Sequence, residues 1–126
     1  MSENHKQDLR TRTKTFALRV IRVYTALPKT TEAQILGKQL LRSGTSVGAH
    51  YREAQRAKSD ADFISKMEGG LQEFDETSYW LELLIESGIM SEKRLKPLYD
   101  ETEELIAIFV TIVKNIKGKG ATKDKR

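Results

Sequence analysis

Apolar side chains along this 126-residue chain recur at alternating steps of three and four, which keeps them on one face of an α-helix. The first such stretch runs from about Asp8 to Leu27, with Leu9, Phe16, Val20, Val23 and Leu27 in register. Pro28 ends it, because proline removes a helix hydrogen bond and pushes the residue before it toward extended backbone. A second stretch opens with Thr31 as N-cap and Gln34 as capping-box partner, and continues to about Lys58. Ser59 or Asp60 caps a third, whose inner stripe is Phe63, Met67, Gly70, Phe74, Thr77, Leu81 and Leu84, with Gly88 placed as the C′ residue. Ser91 opens the fourth, whose stripe is Leu95, Leu98, Thr102, Leu105, Phe109, Ile112 and Ile116, and Gly118 follows its expected end.

A spacing near 3.5 favours near-parallel helix packing, and the short connections force each helix antiparallel to the one before it. The pattern therefore predicts an all-α, antiparallel up-down-up-down four-helix bundle over residues 1–117, with a short N-terminal arm. Residues 118–126 read as a flexible lysine-rich tail.

Two features exceed what a lone bundle needs. The second helix carries Gly44 and Gly48 in its interior, each costing roughly 1 kcal/mol relative to alanine. Such glycines are expected where another backbone comes close. The runs from Tyr79 to Ile85 and from Leu105 to Val110 are apolar nearly all the way round, although every helix of a four-helix bundle should keep one wet face. They imply self-association, with Tyr79, Trp80, Leu83, Ile106 and Val110 as the candidate oligomer interface.

Composition narrows the chemistry. The chain has no cysteine, which rules out disulfides, thiolate metal sites and a cysteine nucleophile and accords with a reducing cytoplasm. Its start, MSENHKQDLR, lacks the apolar core of a secretory signal, and its longest dense apolar run is too short to span a bilayer. A cytoplasmic protein without membrane attachment is expected. The net charge of +4 is unevenly distributed. Residues 1–27 and 28–58 each carry +4, residues 59–90 carry −7, and residues 91–126 carry +3.

The positive charge forms rows. Lys38, Arg42, Arg52 and Arg56 fall on one face of the second helix, opposite its apolar stripe, and span roughly 27 Å. Arg12, Arg19 and Arg22 form a second row on the first helix, and Lys117 leads into the basic tail. Such a ridge can track phosphates, and the absence of interleaved aromatic residues points to charge-driven rather than base-specific binding. The ridge could instead meet Glu68, Asp75, Glu82 and Glu86 on a neighbouring copy's third helix, which would make it part of a protein scaffold.

Catalytic signatures are weak. His50 and Glu53 occur once, in the order His-x-x-Glu, whereas two-metal bundles use paired Glu-x-x-His elements. Ser46 and His50 could nominally pair as nucleophile and base but lack an evident orienting acid. A polar network that pins helix register is the better account of this cluster. No enzyme activity, cofactor or metal is expected.

Several segments carry a family resemblance: Arg42 to Ala54 (RSGTSVGAHYREA), Gly69-Gly70-Leu71, Glu73-Phe74-Asp75, and Trp80 to Leu84 (WLELL) before Gly88. Over about residues 12–117 the chain resembles the small bacterial four-helix bundle proteins named for intervening sequences of large-subunit ribosomal RNA. That family also includes the accessory variability protein of diversity-generating retroelements. Its arginine, Ser-Val/Ile and Asn-x-x-Glu-Gly pattern is present as Arg42, Ser46-Val47, His50, Glu53 and Ala54, with His50 and Ala54 replacing asparagine and glycine. The resemblance implies a ring-like homo-oligomer, typically of five subunits, without known catalytic activity. For the retroelement branch it also implies a basic surface that binds RNA or DNA and a reverse transcriptase partner.

Overall fold

Four helices make up the fold: α1 (Ser2–Ala26), α2 (Thr31–Gln55), α3 (Asp60–Glu86) and α4 (Glu92–Asp124). The structure, a computed structural model, describes the backbone of residues 2–124 and the side chains of residues 9–119. No strand occurs among the described residues, and none of their helices is long and apolar enough to cross a membrane. Backbones approach closely between α1 and α2, α2 and α3, and α3 and α4, and less extensively between α1 and α4. Among the described residues the diagonal pairs, α1 with α3 and α2 with α4, do not approach closely, so the helices occupy the four corners of a bundle.

Local chemistry sets the helix ends. Thr30 is the N-cap of α2 and accepts from the Ala33 amide at 3.3 Å; the cap thus lies one residue before the expected Thr31. Gln34 still ties the turn, donating to the Pro28 carbonyl at 2.9 Å and standing 3.2 Å from the Tyr24 hydroxyl. Ser59 caps α3 through the Asp62 amide at 3.1 Å, and Ser91 caps α4 through the Arg94 amide at 3.2 Å. Gly88 adopts φ +76°, and its amide donates to Ile85, closing α3 as expected of a C′ glycine.

Three further boundaries differ from the sequence expectation. The α1 helix begins at Ser2 rather than at about Asp8, so helix stands where a short N-terminal arm was expected. The α2 helix stops at Gln55 rather than near Lys58, and α4 continues through Gly118 to Asp124. A glycine at a helix end signals a stop only where the chain turns there, and at Gly118, where an added Cβ would meet nothing within 4 Å, the helix continues. The mobility expected of residues 118–126 lies largely outside the described side chains.

The core follows the predicted stripes. Leu9, Phe16, Val20 and Leu27 of α1 are buried, as are Leu40, Val47, Tyr51 and Ala54 of α2. From α3 come Met67, Phe74, Leu81 and Leu84, and from α4 Leu95, Leu98, Leu105 and Phe109. Phe74 lies at the centre, edge-on to Phe16 at 5.6 Å and to Phe109 at 5.1 Å. Near the end of α4 the buried position is Val113 rather than Ile112 or Ile116, both half-buried. The stripe drifts because 3.6 residues per turn does not match a strict heptad.

Threonines also enter the core. Thr13 and Thr102 bond the carbonyls of Leu9 and Leu98, each at 2.8 Å, which satisfies hydroxyls that water cannot reach.

Candidate nucleic-acid interface

The outward face of α2 is created by the inward demands of the same helix. Gly37, Gly44 and Gly48 turn toward α1, where an added Cβ at Gly44 would lie 2.7 Å from Val20 Cγ2 and one at Gly37 2.5 Å from Leu27 Cδ1. On the α3 side, Ser43 Oγ meets Thr77 Oγ1 at 2.8 Å. Both contacts fix the rotation of α2 about its axis, and Lys38, Arg52 and Arg56 consequently stand exposed on the opposite side. Thr45, half-buried, and Ala49, exposed, lie between them.

The eight predicted basic residues divide into two groups. Arg42 is tied to α3: its guanidinium reaches Glu73 at 3.1 Å and also bonds Glu76. The Glu76 hydrogen bond, helped by Glu73, raises its pKa against a lowering contribution from desolvation, so it stays charged and engaged. Arg12 makes a two-pronged contact with Glu101, at 2.8 and 3.2 Å, and reaches Glu104 at 3.3 Å. Lys117 pairs with Glu68 at 3.0 Å. By contrast Lys38, Arg22, Arg52 and Arg56 are exposed and Arg19 is half-buried, and among the described residues none of these five forms an ion pair.

One basic residue was missed in the sequence. Arg10 donates to Gln55 across the α1–α2 seam at 3.1 Å, which brings its charge beside the Arg52–Arg56 end of the ridge. It also opposes the burial that raises the pKa of the Tyr51 hydroxyl. The signal lies in the tertiary register: Thr13 faces Gly48, so Arg10, about one turn earlier, comes level with the last turn of α2.

His50 sits in a cradle of glycines. A Cβ at Gly69 would stand 2.8 Å from its Cε1, and one at Gly70 would stand 3.4 Å from its Cβ. Its Nδ1 is buried without a hydrogen-bond partner, while Ser46 turns back to the Arg42 carbonyl at 2.7 Å and Glu53 is exposed. Of the expected polar network the Arg42–Glu73 bond across the α2–α3 seam is formed, while among the described residues no hydrogen bond joins His50 to Ser46 or Glu53, and His50 fits α3 by shape. Among the described residues no group of histidines and acids could hold a metal ion.

The expected interface residues are spread over two helices. Tyr79 is 53% exposed and in ring contact with Trp80 at 5.1 Å, while Leu83 and Val110 are half-buried. Trp80 and Ile106 pack against the core. Leu18, Ile21 and Ile35 are also exposed, although no pattern along their own helices singled them out.

A sequence profile of the 23S rRNA-intervening sequence protein family matches residues 5–111. A crystal structure of a protein of unknown function from Bacteroides thetaiotaomicron, assigned to the S23 ribosomal protein family, is 36% identical to this chain. The match covers 86% of this chain and 97% of that one, with a TM-score of 0.81. No curated protein matches the chain. The chain belongs to the 23S rRNA-intervening sequence protein family.

Proposed function

We propose that this protein is a non-catalytic, self-associating bundle that holds RNA or DNA by its phosphate backbone. Lys38, Arg52 and Arg56 form the contact row, with Arg10 beside it. The observation carrying this reading is that these basic side chains stand exposed without ion pairs among the described residues, while Arg12, Arg42 and Lys117 are occupied by carboxylates of the same chain. An ammonium or guanidinium that has no internal acid to satisfy it is free to displace counterions from a phosphate backbone. Repeating the row around an assembly would make weak single-chain contacts effective together. The family's name makes a structured ribosomal RNA fragment the natural first ligand.

Fluorescence anisotropy with labelled duplex RNA, duplex DNA and single strands tests the proposal. Affinity is expected to fall steeply with salt, each phosphate contact adding about −0.9 to the log–log slope on a DNA duplex, with little dependence on base sequence. Arg52→Glu with Arg56→Glu should abolish binding while leaving the assembly intact, whereas Arg42→Ala should change it little. Salt-insensitive binding, or none, defeats the reading. Dissociation of the assembly by the same double substitution would assign the row to contacts between subunits instead.

A further inference from the structure

We propose that the ligand of the basic row is double-stranded RNA, held by the joint outer face of α1 and α2, with Thr45 reading the ribose 2′-hydroxyl. The inference rests on the phosphate-binding reading above and names the kind of polyanion that this face fits.

The face is wider than the row on α2. The Arg10–Gln55 bond places that flank of α1 beside α2, and Lys14 follows Arg10 one helical turn later. Lys14 is exposed and forms no ion pair among the described residues. It joins Arg10, Arg52 and Arg56 in a patch of four exposed cations drawn from two helices. From Leu9 to Leu27 the chain has no acid, and the carboxylate next to Arg52, Glu53, lies on the Arg42 flank of α2, toward α3. Between this patch and Lys38 at the other end the residues are small: Ala17, Thr45, Gly48 and Ala49.

The shape of the face selects among nucleic acids. Packed helices have axes roughly 8–10 Å apart and each is about 10–12 Å across, so the pair presents a face about 20 Å wide. Such a face cannot enter the major groove of B-form DNA, which is about 12 Å wide. No aromatic residue stands among these positions, so unpaired bases find nothing to stack on. The minor groove of A-form RNA is wide and shallow, and it displays 2′-hydroxyls between two phosphate strands. A broad face with small side chains at its middle and cations toward its ends matches that surface.

Thr45 supplies the chemistry. It is half-buried at the middle of the row, and its hydroxyl donates to the Leu41 carbonyl at 2.7 Å. The proton is thereby committed inward, which leaves the oxygen as an acceptor. A 2′-hydroxyl is a donor that RNA offers and DNA lacks.

Fluorescence anisotropy with an RNA duplex, a DNA duplex of the same sequence and each single strand tests the proposal. At equal salt the parent chain should bind the RNA duplex about tenfold tighter than the DNA duplex, and tighter than either single strand. Thr45→Val keeps the shape and removes the hydroxyl; it should weaken RNA-duplex binding about three- to tenfold and leave DNA binding unchanged. Thr45→Ser should retain the preference. Lys14→Gln should weaken binding of both duplexes and reduce the steepness of the log–log salt dependence by about 0.9. Equal affinity for the two duplexes, tighter binding of single strands, a preference that survives Thr45→Val, or a salt slope unmoved by Lys14→Gln overturns the inference and leaves phosphate binding standing. A parent chain that binds none of these probes overturns both.

Discussion

Along α1, the side facing α2 meets three glycines, and the side facing α4 meets carboxylates. Val20 nests against Gly44, Tyr24 and Leu27 against Gly37, and Thr13 against Gly48. The other seam has less close backbone approach and is bridged by Arg12 with Glu101 and Glu104. The first seam is closed by omitting side chains, so it depends on steric fit and is insensitive to solvent. The second is held by charges at its rim, where water and salt compete with the attraction. The difference shows why α2 can be glycine-rich: what it loses in helix propensity is returned as contact with α1.

The largest effect should come from filling the glycine seam. Alanine at position 44 gains about 1 kcal/mol of helix propensity, yet its Cβ would stand 2.7 and 2.9 Å from the two methyls of a stiff valine. Gly44→Ala should therefore lose about 1–2 kcal/mol net in urea unfolding. In a Val20→Ala background most of that loss should vanish. A stabilised Gly44→Ala protein would show that the seam is not sterically closed.

A smaller effect is expected at the charged seam. Arg12→Met should cost about 1 kcal/mol at low ionic strength, since the pair is part-buried and two-pronged. The cost should shrink in high salt, and equal losses at both ionic strengths would remove the contrast. The smallest effect is expected at Gly118→Ala. There a Cβ meets nothing within 4 Å, so the substitution that harms α2 should raise helicity and add about 0.5 kcal/mol or less near the end of α4.

Much of the fold was legible because its signals are local. Pro28, Ser59, Gly88 and Ser91 mark boundaries through hydrogen bonds made within a turn or two, and the same logic missed only by a residue at Thr30. The interior glycines likewise announced close approach, though not which neighbour would fill each gap. The candidate site was less legible. Arg42 and Arg52 look alike on a helical projection, yet Arg42 leans onto Glu73 and Glu76 while Arg52 makes no ion pair among the described residues. Arg10 has no apparent role until α1 is laid beside Gln55.

The chain's rhythm of apolar positions, its caps and its segregated charge settled that four antiparallel helices form and that one half of the molecule is basic. Those properties belong to single helices and to composition. Which cations are consumed internally, which hydrophobics remain bare, and that cations of α1 and α2 meet on one face were settled by packing. They depend on the rotation and register of one helix against another, quantities set by contacts such as Val20 on Gly44 and His50 on Gly69 and absent from any one helix's pattern.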